Sequence, residues 1–363
     1  MTLSRYLSRR FLQALLVTAG GFGLLIAAVE ALELSGNLRG VPNAGAGTAL
    51  QLTALVLPGR LYEIGPLIAL LASLALFMSM SRSSEITVAR TSGRSSLGVV
   101  GAPVAVVLAL GAFLVAAMNP IVAATLRKAE TVEARIDGSA NVLSISPDGL
   151  WLRQGSAGGQ TVIRARSASL DGERLAEVTF LSYDASGPAE RIEARSARLV
   201  PGNWELDGAK RWDLTAPNPE AAAETADRMR LPTDLTVERI RDGFGTPEAV
   251  GIWDLPTYIA DLEAAGFTAR SYRLRLWSEI ASPLFLAAMV ITGAAFALRH
   301  ARAGGAWIRG TAAVATGFAL YSTKNFALAL GQSGQAPVLL ASLAPPAATL
   351  ALAAAIVLWM EDA

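Results

Sequence analysis

Residues 97–118 read LGVVGAPVAVVLALGAFLVAAM, and residues 141–166 read NVLSISPDGLWLRQGSAGGQTVIRAR. The first stretch is apolar throughout and long enough to cross a bilayer as a helix, which needs about 20 such residues. The second alternates apolar and polar side chains with a period near two. It is interrupted at Asp148-Gly149 and Gly158-Gly159, the pattern of short strands joined by tight turns. One chain therefore holds a membrane-spanning segment and, a few residues later, a region built to sit in water.

Working outward, five more segments resemble the first: Phe11 to Val29, Leu61 to Met80, Ile280 to Leu298, Trp307 to Leu330 and Val338 to Met360. Pro345 and Pro346 interrupt the last, which predicts a helix starting there. Pro66, Pro103 and Pro283 fall near the expected starts of their helices, where proline is tolerated. The first segment follows three arginines, as a signal peptide does. Its apolar run is too long for one, and a short loop and another span follow.

Arginine placement orients the spans. Arg5, Arg9 and Arg10 precede the first; Arg82, Arg90 and Arg94 follow the second; Arg299, Arg302 and Arg309 lie between the fourth and fifth. The opposite short loops carry Arg39, with Arg60 at a helix edge. The positive-inside rule puts both termini in the cytoplasm and residues 127–275 outside.

That outer region also reads as strands at Ala176 to Tyr183 and Ala189 to Ala197, with turns at Asp171-Gly172, Gly187-Pro188 and Pro201-Gly202. Many short strands at this spacing predict a sandwich or jelly roll. Residues 217–224 read as a loop. Asp254 to Ala265 reads as a helix with Pro256 in its first turn. The expected fold is an α-helical membrane protein with six transmembrane helices, three before and three after an inserted periplasmic all-β jelly-roll domain. Its parts are residues 1–126, with a cytoplasmic coupling helix near 84–93; 127–250, the β domain; 251–276, a helix and connector; and 277–363.

Composition agrees. The chain is 52% hydrophobic and 17% charged, where a soluble domain nears a quarter charged. A net charge of +1 argues against nucleic-acid binding. There is no cysteine and one histidine, His300, so thiol catalysis, cysteine zinc sites and multi-histidine metal sites are not expected. No Gly-x-x-x-x-Gly-Lys-Ser/Thr phosphate loop occurs, so energy from ATP must come through a partner.

Several stretches resemble the LptF/LptG permeases of lipopolysaccharide export. They are Ser84 to Gly93 (SEITVARTSG), Gly149 to Arg153 (GLWLR), Tyr272 to Pro283 (YRLRLWSEIASP), Gly317 to Tyr321 and Gly331 to Pro337. Each is moderately specific alone; their order and the layout make the match. The Trp277 region and the Gly331 to Pro337 loop are most similar to the LptG subunit. The resemblance implies an ABC transporter permease without catalytic residues, cofactor or metal. It implies an LptF-type permease subunit as partner, two copies of the ATPase LptB, the bitopic LptC, periplasmic LptA, and lipopolysaccharide in the bacterial inner membrane.

Two groups of residues carry the expected function. Ser84 can cap a short helix with Glu85 in its first turn. Ile86 and Ala89 share a face, Glu85 and Arg90 flank it, and Gly93 ends it. In the family this is the coupling helix seated on the ATPase, with Glu85 meeting a basic residue. The alternative is a solvated loop whose arginines only set topology. Lys324, the only lysine in any span, lies about six residues before the outer end of its helix, ~9 Å deep at 1.5 Å per residue. A lysine there snorkels, pairs with Glu30 or Glu63, or meets an anion. Tyr321 shares its face. With Arg60, Arg273 and Arg275 at span ends, and Glu30 beside them, it forms the expected lipid-binding set. Here the chain departs from the family: residues 27–34, at the top of the first span, carry no lysine or arginine.

Other readings are a permease of another ABC system handling lipids or lipoproteins, the LptF paralogue, a scaffold, and a membrane-embedded hydrolase whose only acids would be Glu30 and Glu63. Trp151, Trp204, Trp212 and Trp253 read as β-domain packing, and Trp277, Trp307 and Trp359 as interfacial anchors.

Overall fold

The computed structural model describes residues 2–38, 45–83, 85–86, 91, 96–136, 143–146, 149–156, 159–169, 173–184, 187–233, 235–236, 246–264, 267–298 and 306–362. The chain forms two compact units. One holds Met1–Ala129, Glu248–Trp253 and Arg270–Ala363; the other holds Glu130–Pro247 and Asp254–Ala269.

In the first unit the helices are α1 (Thr2–Asn37), α2 (Ala46–Glu63), α3 (Gly65–Arg82), α4 (Ser96–Phe113), α7 (Arg270–Leu298), α8 (Ala306–Gln332) and α9 (Val338–Asp362). A π-turn, Leu114–Met118, joins α4 to α5 (Asn119–Ile136). By length and composition, helices within α1, α3, α4–α5, α7 and α9 can each cross a membrane. α8 is long enough, but the polar run from Tyr321 to Asn325 lowers its apolarity.

Several boundaries differ from the sequence reading. α5 runs to Ile136, where the β domain was expected from residue 127. Residues 46–60 are helical where a loop was expected, in a helix, α2, that takes in Leu61 to Glu63 from the expected second span. It ends at Ile64 because Pro66 offers no N–H to continue it, and proline in a first turn starts α3 instead. α7 starts at Arg270, so Pro283 lies inside the helix. α9 starts at Val338 and runs through Pro345 and Pro346.

α7 is the central helix of this unit and packs against α3, α4, α8 and α9. Its approach to α3 depends on Gly293: a Cβ there would lie 2.7 Å from the Leu70 carbonyl oxygen. Ser73 Oγ donates to the Val290 carbonyl at 2.6 Å across the same contact. Small residues let backbones approach this closely in membrane helices, where dispersion drives association.

The second unit contains strands β1 (Leu143–Ser146), β2 (Gly149–Ser156), β3 (Gly159–Ala168), β4 (Arg174–Asp184), β5 (Gly187–Val200), β6 (Asn203–Asp213) and β7 (Glu224–Pro232), with α6 (Leu255–Ala264). The strands pair antiparallel in sequence order. β6 and β7 were not anticipated.

The buried face of the sheet changes phase along one line. In β5 the buried residues are Ile192 and Ala194, then Ala197 and Leu199; in β6, Trp204 and Leu206, then Ala209; in β4, Leu175, then Val178 and Phe180. The buried phase of each strand changes by one residue at the same level, where Arg166, Glu177, Arg195 and Gly208 stand opposite one another outside the ladder pairing while the register is kept on either side. Glu177 and Gly208 there have φ of 50° and 63°. An interrupted ladder with left-handed backbone at two of these positions lets the strands bend there.

The bend folds the sheet over itself. Phe180 is in register, through Ile192, with Arg211 on β6. Trp204 lies seven residues from Arg211, about 23 Å along a straight strand. Yet the Phe180 and Trp204 rings meet edge to face at 6.0 Å. Gln154 on β2 also accepts a hydrogen bond from Thr233, just past β7, at 2.7 Å. The unit is thus a two-layered roll with an apolar interior. Its connectivity is a plain meander, with no Greek-key crossing among the described strands.

Trp204 is the one tryptophan of the four expected to pack the β region that is buried in it. Trp151 and Trp212 lie outward beneath cations, Arg164 over the first and Arg191 and Lys210 over the second. Trp253 belongs to the helical unit, where its Nε1 donates to the Ala116 carbonyl of the π-turn at 2.9 Å.

Candidate functional site

The loop after α3 is anchored to the start of α1. Arg10 donates to both oxygens of Glu85, at 2.9 and 3.0 Å, Tyr6 OH donates at 3.0 Å, and Ser83 Oγ at 2.8 Å. Desolvation pushes the Glu85 carboxyl up, but these hydrogen bonds outweigh it and hold the group below the usual carboxylate range. Their stabilisation is present above the unfolded-state pKa and is lost as pH falls through the native one. Ile86 is buried in the core with Leu7 and Phe11, not displayed outward. Ala89, Arg90 and Gly93 lie outside the described residues.

The expected lipid-binding set separates into parts. Glu30 and Arg60 pair with each other at 2.7 Å, joining α1 to α2. Arg273 is exposed on α7. Lys324 and Arg275 instead belong to a half-buried polar cluster around a buried residue that sequence reading passed over. Glu279 is 3% exposed; its Oε1 accepts from Arg275 Nη2 at 2.7 Å, and its Oε2 accepts from Tyr62 OH. Tyr62 also hydrogen-bonds the Asn119 side chain. Asn119 is buried and fixes the returning chain by accepting from the Ile252 N–H at 2.8 Å.

Lys324 Nζ stands 5.2 Å from the Phe285 ring centroid, and the charges acting on it are Glu279, Arg275 and Glu63. Tyr321 packs beside it against Leu70, Phe285 and Met289 and hydrogen-bonds Asn325. So α2, α5, α7 and α8 each place a polar side chain in one apolar interior. The expectation that Glu30 and Glu63 were the only intramembrane acids is thereby corrected. A signal for Glu279 was present: Arg275 and Glu279 stand four apart, the spacing of a helical ion pair. It was missed because the span was started at Ile280.

Arg270, at the first turn of α7, donates to the carbonyls of Gly331 and Ala336, the latter at 2.6 Å. It closes the end of α8 and sets the turn into α9. This gives the Gly331 to Pro337 stretch a structural role.

A set of long apolar helices with a polar cluster among them, and a folded β unit inserted in the chain between them, is the layout of a membrane protein carrying an inserted β domain. The family described as lipopolysaccharide export system permease LptF/LptG matches residues 5–360, and the chain belongs to it. Among its relatives is the lipopolysaccharide export system permease protein LptG of Escherichia coli (strain K12), 23% identical over 272 residues, 74% of each chain. The protein of the same name from Haemophilus influenzae (strain ATCC 51907 / DSM 11121 / KW20 / Rd) is 23% identical over 346 residues, 92% of this chain and 90% of that one.

Proposed function

We propose that the chain is the LptG-type subunit of a lipopolysaccharide exporter in the bacterial inner membrane. It takes lipopolysaccharide from the outer leaflet and passes it to a periplasmic bridge. On this reading six helices span the membrane, three on each side of the β unit, and the β unit is a periplasmic jelly roll. An LptF-type subunit, two copies of LptB, LptC and LptA complete the machine.

The observation that supports a lipid site is the pair of half-buried cations, Arg275 and Lys324, beside the buried Glu279 and the Phe285 ring among the apolar helices. Cations set among apolar membrane helices favour anionic partners, and the phosphates of lipid A are anions carried on an apolar body. The site is thus narrowed from the sequence expectation to Lys324, Arg275 and Tyr321, with Arg60 and Glu30 satisfying each other. In the assembled transporter in nanodiscs, lipid A carrying its phosphates should raise ATPase activity more than dephosphorylated lipid A. Lys324→Ala should reduce that difference about tenfold, the worth of one hydrogen bond to a charged group. Equal responses to both lipids would dismiss the phosphate contact.

The loop at 84–93 is the proposed contact with the ATPase. Because Glu85 is held by Arg10 and Tyr6, its part in coupling is to tie that loop to α1. Glu85→Lys should uncouple ATP hydrolysis from lipid release, and adding Arg10→Glu should restore much of it. Failure of the double reversal to restore coupling would mean that Glu85 spends its charge on the ATPase instead.

A further inference from the structure

The cluster holds two half-buried cations, Arg275 and Lys324, near one buried carboxylate, Glu279. The other acid acting on Lys324, Glu63, is exposed. Arg275 Nε is buried with no hydrogen-bond partner among the described residues. An open buried donor beside a surplus of positive charge is costly in an apolar interior. It is the state expected of a site whose anion comes and goes.

The geometry of Glu279 supplies the means. Its two oxygens are committed to different helices: Oε1 to Arg275 on α7, Oε2 to Tyr62 at the end of α2. The carboxylate can therefore release Arg275 and stay anchored on Tyr62, which Asn119 steadies in turn.

We propose that Glu279 is the resident counter-ion of the lipid-phosphate site. Without lipid it neutralises Arg275 and keeps the cluster together. A lipid phosphate reaching Lys324 takes over Arg275, including its open Nε, and Tyr62 retains the displaced carboxylate. This rests on the lipid-phosphate reading above and adds to it a competitor built into the protein. Lipid binding on this account breaks the Arg275–Glu279 pair within α7 and leaves the Glu279 contact with Tyr62 on α2 in place.

Two substitutions should act in opposite directions. Glu279→Gln keeps a partner for Tyr62 but removes the competing charge. In the assembled transporter in nanodiscs it should bind phosphorylated lipid A about tenfold more tightly. Tyr62→Phe removes the hydroxyl that holds the displaced carboxylate and should weaken binding about fivefold. Binding of dephosphorylated lipid A should change in neither variant. Inorganic phosphate should not displace the lipid; displacement at millimolar concentration would make this a free-anion site and overturn the proposal.

A purely structural role predicts weaker binding and lower thermal stability in both variants, which would also overturn it. If the parent does not distinguish phosphorylated from dephosphorylated lipid A, the lipid-phosphate reading fails first. If it does distinguish them and Glu279→Gln does not tighten binding, only the counter-ion role fails. Should Glu279→Gln not assemble, unchanged or tighter binding by Tyr62→Phe is enough to refute it.

Discussion

Gly293→Leu is expected to leave no properly folded permease in the membrane. A Cβ at this position would sit 2.7 Å from the Leu70 carbonyl oxygen, 3.1 Å from Ser73 Cβ and 3.2 Å from the Leu74 nitrogen. Two of these atoms are backbone, so no rotamer change relieves the clash; α3 and α7 must move apart. The Ser73 to Val290 hydrogen bond breaks with that movement. Overpacking a tight core costs about 1–3 kcal/mol and sometimes more. Alanine should already cost that much, and leucine should exceed it. Gly101→Ala is the control: it lies in α4 with nothing within 4 Å of its Cβ position. There alanine should be neutral or stabilising by up to about 1 kcal/mol through helix propensity. Thermal unfolding in detergent, with size-exclusion profiles, checks both. An ordinary melting curve for Gly293→Leu would show that α3 and α7 are not in close contact.

Trp204→Ala should unfold the β unit. Trp204 is fully buried and packs on Phe180 across the two layers of the roll. Truncating a buried tryptophan to alanine costs about 3–5 kcal/mol, a large share of a domain's stability of about 5–15 kcal/mol. Trp204→Phe should be far milder. The indole Nε1–H is buried with no hydrogen-bond partner among the described residues, so phenylalanine removes an unsatisfied donor and keeps an aromatic ring. Limited proteolysis of the intact chain in nanodiscs should therefore cut Trp204→Ala between residues 143 and 232 at protease levels that spare Trp204→Phe. Equal resistance of the alanine variant would mean that the two layers do not depend on this contact.

The roll also shows why strands were read short. Reading by strict alternation ends β5 at Ala197 and starts β4 at Ala176, close to where the buried phase slips by one residue. The spacing Ile192, Ala194, Ala197, Leu199 was a visible sign of the bend, with two-residue steps interrupted by one of three. Gly208 lies in β6, which the sequence reading did not anticipate. Its positive φ, and the Arg195 guanidinium lying where a Cβ would be, belong to the folded sheet.

Long apolar runs, alternating strands and the cost of a lysine inside a span depend on residues adjacent in the chain or on one helix face. The membrane class, the inserted β region and the α6 helix were therefore legible without coordinates. The break at Ile64 was legible in principle from Pro66. The partners of the charges were not. Arg10 with Glu85, Arg60 with Glu30, and Tyr62 with Glu279 are separated by 75, 30 and 217 positions. Whether a carboxylate meets water, an arginine of its own chain or a partner protein is settled by which helices pack together. Desolvation makes an unpaired buried charge too costly to persist, so packing selects the pairs, and no local pattern in the sequence encodes that selection.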